Sequence, residues 1–211
     1  MRFYFDFSIP PYILDVTYLL KNIFMNTLII TAHPSQKNFT NTLAETYAKN
    51  SEEQGRQVEI LNLYTTDLKQ DFLRFENIRD MGNDEVTKKM QQKIDWAEEL
   101  VFIFPVWWAD APAILKNWID CNFGAGFAFT YENGKPVGLL RGKTARIFAT
   151  SGAPGFVYSL FPVNYHILWG SMRLKFCGIK TTSIKVFGKM SNINDTDKQA
   201  MIDKEMKKIF G

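Results

Sequence analysis

Cysteine is scarce in this 211-residue chain, with only Cys121 and Cys177 present, and they form neither a C-x-x-C pair nor a Cys/His spacing. That excludes a disulfide framework and a zinc centre, and leaves free thiols in a reducing, cytoplasmic setting as the expectation. A dominant charge is also lacking: 25 Lys and Arg stand against 22 Asp and Glu, a net charge of +3. The excess is too mild and too scattered for a nucleic-acid surface, although an anionic small ligand remains compatible. There is no G-x-S-x-G elbow of a hydrolase, and the loop after the first strand has neither G-x-G-x-x-G nor G-x-x-x-x-G-K. Internal repeats and low-complexity tracts are absent too. A length of 211 residues with 46% hydrophobic and 22% charged residues suits one globular core.

Aromatics, in contrast, are plentiful: 18 Phe, 8 Tyr and 5 Trp. They concentrate in the stretch around which the chain is organised, from Phe102 to Trp118. The apolar run Leu100 to Phe104 suits a strand covered on both faces, and Pro105, with no N–H to give, is expected to stop it. Pro112 suits the first turn of a helix whose apolar face carries Ile114, Leu115 and Trp118. Trp107 and Trp108 fall between the two prolines, on a turn at the carboxyl end of a strand. Two adjacent tryptophans cannot both face inward on a strand, but a turn frees them.

Residues 1–24 carry Asp6 and Asp15 and lack a small-residue cleavage site, so they are neither a signal peptide nor a membrane span. Met25-Asn26-Thr27-Leu28 resembles a fresh start, and the first 24 residues read either as an appendage or as a packed or membrane-touching arm. Thr27 to Ala32 is a first strand. His33 to Asn38 is a loop entering a helix over 39–50, capped by Asn38. Gln57 to Leu63 is a second strand, 67–83 is irregular, and 84–98 is a helix with Val86, Met90, Ile94 and Ala97 on one face. The Gly- and aromatic-rich stretch from Cys121 to Leu140 reads as a long functional loop. Lys143 to Thr150 is a strand ending in Ser151-Gly152-Ala153-Pro154-Gly155. A helix over 163–176, a strand over Lys180 to Phe187 and a helix over Asp195 to Ile209 complete an alternating α/β pattern with a parallel sheet.

Three strand-end loops therefore converge, at His33, Trp107 and Ser151. The first offers a helix N-terminus for a phosphate, the second flat rings, and the third small residues whose N–H groups a ligand can approach closely. A flavin nucleotide matches all three. The fold class is then the flavodoxin-like, doubly wound, parallel five-stranded sheet with helices on both faces. No metal site is indicated.

In these motifs the chain resembles the NAD(P)H:quinone oxidoreductases, the DT-diaphorase group and its bacterial relatives, over residues 25–211. The likeness rests on Ala32-His33 with Asn38-Phe39-Thr40, the Phe104-Pro105-Val106-Trp107-Trp108 turn with Pro112-Ala113-Ile114-Leu115-Lys116, Phe127-Ala128-Phe129-Thr130-Tyr131, and Thr150-Ser151-Gly152 with Tyr158-Ser159. The resemblance implies that His33, Asn38, Phe39 and Thr40 surround the phosphate or pyrophosphate of FMN or FAD. It implies that Pro105, Val106, Trp107 and Trp108 lie along the isoalloxazine with backbone N–H groups directed at it, and that Thr150, Ser151, Gly152 and Ala153 hold the pyrimidine edge. Phe129 and Tyr131 match two substrate-lid tyrosines, so one hydroxyl is missing. Tyr158 matches the catalytic tyrosine, and its hydroxyl, with the Gly152 and Ala153 N–H groups, is expected to stabilise the negative charge of the reduced flavin. The histidine that some members carry six residues later falls on Asn164, and the role does not transfer to His166.

The implied activity is two-electron, ping-pong transfer from NADH or NADPH to a quinone, by a homodimer whose sites borrow residues across the interface. Two other readings stand beside it: an accessory flavoprotein of a potassium-efflux system, with a peripheral membrane partner, and a reductase of azo or nitro compounds. Taken singly, His33 reads as a surface cap, the tryptophans as core, Tyr158 as a helix-edge aromatic and the glycine-rich stretch as a plain hairpin.

Overall fold

A computed structural model describes residues 25–76, 84–160 and 164–211. The readings of residues 1–24, of 77–83 and of the start of the 163–176 helix lie outside the described residues.

Among the described residues seven strands form: β1 (Asn26–Thr31), β2 (Gln57–Asn62), β3 (Glu99–Pro105), β4 (Phe129–Glu132), β5 (Lys135–Gly138), β6 (Thr144–Thr150) and β7 (Lys180–Phe187). Four α-helices of the described residues accompany them: α1 (Phe39–Glu53), α2 (Glu85–Trp96), α3 (Ala113–Asn122) and α4 (Asp195–Phe210). Five strands make one sheet in the order β2-β1-β3-β6-β7, every pair parallel. The class read from the sequence holds, because a parallel sheet buried on both faces needs near-continuous apolar strands and β3 is buried at all seven residues. Alternation along the strands divides the core. Leu28, Ile30, Phe102, Phe104 and Ile147 face α2, α3 and the segment after β6. Ile29, Val101, Ile103 and Phe148 face α1 and α4 through Leu43, Tyr47, Ile202 and Met206.

Three boundaries differ from expectation. Pro105 stays in β3, opposite Thr150, because the next residue supplies the bond it cannot make: the Val106 N–H donates to the Thr150 carbonyl at 2.7 Å. Cys121 to Leu140 is not one long loop but the end of α3 followed by the antiparallel hairpin β4–β5. The signal was present in Asn133-Gly134, both at positive φ (51° and 75°), the pair a tight two-residue hairpin turn prefers. Its base is fixed where β6 and β7 begin, with the Leu140 N–H on the Cys177 carbonyl and the backbones of Gly138 and Gly178 in direct contact. The third helix-like stretch is a π-helix, His166–Leu174, continued by a short 3-10 turn. Among the described residues no helix is long and apolar enough to cross a membrane.

Candidate functional site

The order β2-β1-β3 reverses direction between β1 and β3. In a doubly wound sheet that reversal opens a crevice at the carboxyl ends of the strands. The loops after β1, β3 and β6 all lie there.

The loop after β1 is built on its own polar groups. Asn38 caps α1, its Oδ1 accepting the Asn41 N–H at 3.0 Å. The N–H groups of Phe39 and Thr40 in the same first turn have no acceptor among the described residues. The Phe39 ring turns into the core against Phe187, centroids 5.1 Å apart, and Thr40 is buried, so what both offer at the start of α1 is backbone rather than side chain. Nδ1 of His33 is tied to its own loop, 3.1 Å from the Ser35 nitrogen and 3.3 Å from the Ser35 carbonyl oxygen, and Nε2 has no partner among the described residues. Positive dipole end, orphan N–H groups and imidazole together suit a phosphate.

After β3 the chain makes a closed two-residue turn. The Trp107 N–H donates to the Asp110 carbonyl at 2.9 Å, and the Asp110 N–H returns to Trp107 at 3.0 Å. Between them Trp108 and Ala109 both hold positive φ, 49° and 63°, a conformation that costs a non-glycine residue about 1–2 kcal/mol. Trp108 is fully exposed and Trp107 half-exposed. The expected direction of backbone donors needs correcting here: Pro105 has no N–H, and those of Val106 and Trp107 are engaged within the protein. The N–H groups that lack an acceptor among the described residues are those of Trp108 and of Ala109, a residue the sequence reading passed over.

After β6, Thr150 and Ser151 are buried and Gly152 is exposed. The Ser151 N–H is held by the Phe187 carbonyl at 2.8 Å, and the Ala153 N–H by Ser151 Oγ at 3.0 Å. Ala153 is therefore corrected as a donor to a ligand, and of Ser151, Gly152 and Ala153 it is Gly152 whose N–H has no acceptor among the described residues. A Cβ on Gly152 would meet only Ser191 Oγ, at 3.5 Å, so the protein's own packing does not require glycine there. Gly155 and Gly188 do require it: a Cβ on Gly188 would lie 2.2 Å from the Gly155 nitrogen.

Tyr158 is buried, with its hydroxyl 2.8 Å from Ser151 Oγ. Two hydroxyl protons serve one mutual bond, so one proton of the pair remains to be offered to a third group. Asn164, where some relatives carry histidine, instead caps the π-helix by accepting the His166 N–H at 2.9 Å, and His166 itself is exposed. Tyr165 is wholly buried beside Tyr158, ring centroids 5.3 Å apart, and its hydroxyl has no partner among the described residues. Burial first, then the Asp110 charge, raises that hydroxyl well above the ordinary tyrosine range.

Phe129 and Tyr131 are not brought to this crevice within one copy of the chain. Phe129 packs on Phe176 at 4.9 Å and on Tyr131 at 5.9 Å, on the hairpin whose base sits at the other end of β6. Cys121 and Cys177 are also apart from it, buried thiols that burial first pushes up to about 11. The described residues hold no cluster of His, Cys, Asp or Glu suited to a metal.

Comparison with known proteins agrees with this geometry. A family model described as the flavodoxin-like fold matches residues 25–209. An NAD(P)H oxidoreductase of Haemophilus influenzae is 33% identical over 186 residues, covering 85% of this chain and 91% of that protein. Human ribosyldihydronicotinamide dehydrogenase [quinone] is 27% identical, covering 83% and 86%. An FMN-dependent NADH-azoreductase of Bacillus anthracis, solved with FMN, shares the fold at a TM-score of 0.70 and 20% identity, over 88% of this chain and 97% of that one. The chain belongs to the flavodoxin-like family, within its NAD(P)H:quinone oxidoreductase group.

Proposed function

We propose that the protein is a flavin-dependent oxidoreductase that passes two electrons from NADH or NADPH to a quinone. The observation that carries the reading is the set of backbone N–H groups without acceptors among the described residues, at Phe39, Thr40, Trp108, Ala109 and Gly152, on the three loops at the carboxyl end of the sheet and beside an exposed tryptophan pair. Trp108, Ala109 and Gly152 are exposed, so water meets their N–H groups until a ligand with matching acceptors takes its place. The sites of these donors fit the parts of a flavin: phosphate at α1 and His33, flat ring along Trp107 and Trp108, pyrimidine edge at Thr150, Ser151 and Gly152.

When bound, flavin supplies two-electron redox chemistry between a reduced nicotinamide and an acceptor; the balance is one quinone, one NAD(P)H and one proton giving quinol and NAD(P)+. The protein's part is orientation and charge. The N–H of Gly152 and the one free hydroxyl proton of the Ser151–Tyr158 pair would be the donors offered to a bound flavin's pyrimidine edge, where negative charge grows on reduction. Tyr158 thus holds or lends a proton without a histidine relay. One open face beside Trp108 serves nicotinamide and quinone in turn, which gives ping-pong kinetics with parallel initial-rate lines.

Two finer points rest on the same reading. Past the phosphate site a groove of about 440 Å³ lies between α1 and α4, lined by Lys37, Asn41, Thr42, Glu45, Asp195 and Lys198; its size leaves room for the adenosine of FAD, and that room is what supports FAD over FMN. The remoteness of Phe129 and Tyr131 from their own crevice supports a homodimer in which the β4–β5 hairpin reaches the partner's site, as the family resemblance implies.

The test is a visible spectrum of the purified protein, the mass of the released chromophore, and anaerobic addition of NADH or NADPH. A flavin band that bleaches, with reoxidation by a quinone, is expected. A protein that stays colourless when offered FMN and FAD overturns the reading, and bound flavin that neither nicotinamide reduces points to an accessory role instead.

A further inference from the structure

The turn that offers Trp108 and Ala109 is strained at both central residues, so something outside it must keep it closed. Its two backbone bonds alone would hold a marginal hairpin. The additional restraint comes from its last residue. Asp110 accepts the Ala111 N–H at 2.7 Å, and both its carboxylate oxygens are taken by the fork of Arg173, Nη1 to Oδ1 at 2.9 Å and Nη2 to Oδ2 at 2.6 Å. A bidentate, charge-assisted pair fixes orientation as well as distance.

Arg173 is in turn held from behind. Its guanidinium lies over the Trp169 ring, 4.8 Å from the centroid, and its side chain is only 13% exposed. Trp169 is fully buried and stacks on Phe104 of β3 at 4.9 Å and 25°. Tyr165, Trp169 and Arg173, four residues apart along the π-helical segment, thus form a column whose lower part packs on β3 and whose upper end grips the turn leaving β3. A single ammonium can reach both oxygens of a carboxylate, as Lys116 does on Asp120, but it can neither make two parallel bonds to them nor stack flat on the indole.

We infer that Arg173 is a positioning residue: through its fork on Asp110 it holds the Trp107–Asp110 turn in the strained form that presents the Trp108 ring and the Trp108 and Ala109 N–H groups to the ligand. It touches no ligand itself. The inference rests on the flavin reading for what is presented, but the clamp on the turn stands independently of it. An adjacent pair of opposite charges also leaves the ring's surroundings neutral, so losing one partner shifts the potential of a bound flavin one way and losing the other shifts it the opposite way.

The experiment compares wild type with Arg173→Met, Arg173→Lys, Asp110→Asn and the double variant Asp110→Asn/Arg173→Met. Flavin affinity is read by quenching of flavin fluorescence, the midpoint potential by dye equilibration, and amide exchange at Trp107 and Asp110 by NMR without flavin. In Arg173→Met and Asp110→Asn the two amides exchange faster and flavin binds about tenfold more weakly, the scale of a lost preorganised contact. The double variant is no worse than Arg173→Met, the midpoint potential moves down for Arg173→Met and up for Asp110→Asn, and Arg173→Lys does not restore the affinity. Unchanged amide exchange, or full rescue by lysine, overturns the clamp. A wild type that takes up no flavin while the variants still exchange faster sinks the flavin reading and leaves the clamp intact.

Discussion

The two ends of the sheet treat polar groups in opposite ways. At the amino end, Glu99 opens β3 buried, with its side chain only 2% exposed, and is surrounded by partners. Arg146 Nε donates to Oε1 at 2.9 Å, and Arg56 Nη1 and the Tyr47 hydroxyl donate to Oε2 at 3.1 and 2.9 Å. Burial first, then the Glu99 charge, holds the Tyr47 hydroxyl far above its usual range, so it stays a donor to the carboxylate. At the carboxyl end, several N–H groups stand without acceptors among the described residues, a tryptophan is fully exposed, and two residues sit in the left-handed region. One end is closed on itself and holds α1, β1, β3 and β6 together. The other leaves its exposed donors to solvent, where a ligand can replace the water. The proposed function rests on that difference: hydrogen-bond demand met inside the fold is architecture, and strained, exposed donors are where a ligand can add bonds.

The sharpest way to break this contrast is Glu99→Gln. It leaves two guanidinium groups, with side chains 9% and 20% exposed, around a neutral amide. Loss of one partner from a buried charge network costs about 3–5 kcal/mol. Urea unfolding should show a loss of that size, while the folded fraction binds flavin as wild type does, because the carboxyl-end loops are untouched. Weakened flavin binding in step with lost stability would mean that the two ends are not independent.

Trp108→Gly tests the opposite end with the opposite sign. Trp108 is fully exposed and held at a φ of 49°, so glycine removes strain and sacrifices no burial. Stability should stay level or rise by up to about 1 kcal/mol, the relieved strain being partly offset by the greater freedom of the unfolded chain. Flavin affinity should fall roughly tenfold, the worth of one aromatic stacking contact. A variant that is both less stable and unchanged in affinity would make Trp108 an ordinary packing residue.

How far the sequence could be read follows the same division. The parallel sheet was legible because strands and helices alternate and its central strand, β3, is an uninterrupted apolar run; the more polar β7 still has the bounds its residues suggest. That the loops after β1, β3 and β6 share the carboxyl end of the sheet was legible too, since it follows from the doubly wound topology. Which N–H groups are available was not, because that depends on partners distant in sequence: Val106 on Thr150, Ser151 on Phe187, Ala153 on its own loop's serine. Asp110 and Arg173 lie 63 residues apart and carry no motif. The β4–β5 hairpin, by contrast, was readable from Asn133-Gly134; the glycines and aromatics around it drew attention to a loop when the turn signal already argued for strands.

The smallest expected effect separates two tyrosines 5.3 Å apart that sequence treats alike. Tyr165 is wholly buried with an unpartnered hydroxyl, so Tyr165→Phe removes an unmet polar group and should leave stability unchanged or raise it by about 1 kcal/mol. Tyr158 bonds Ser151 Oγ at 2.8 Å, so Tyr158→Phe should cost about 1 kcal/mol and takes away one of the two hydroxyl protons in the crevice. Ser151 then keeps its own proton, held in place by the Ala153 N–H on its oxygen. Quinone turnover should therefore slow in Tyr158→Phe without vanishing, by roughly tenfold to a hundredfold if the hydroxyl assists proton transfer, and stay at the wild-type rate in Tyr165→Phe. Equal slowing in both would move the proton to Tyr165, whose hydroxyl would then have to turn toward the ligand when the crevice fills.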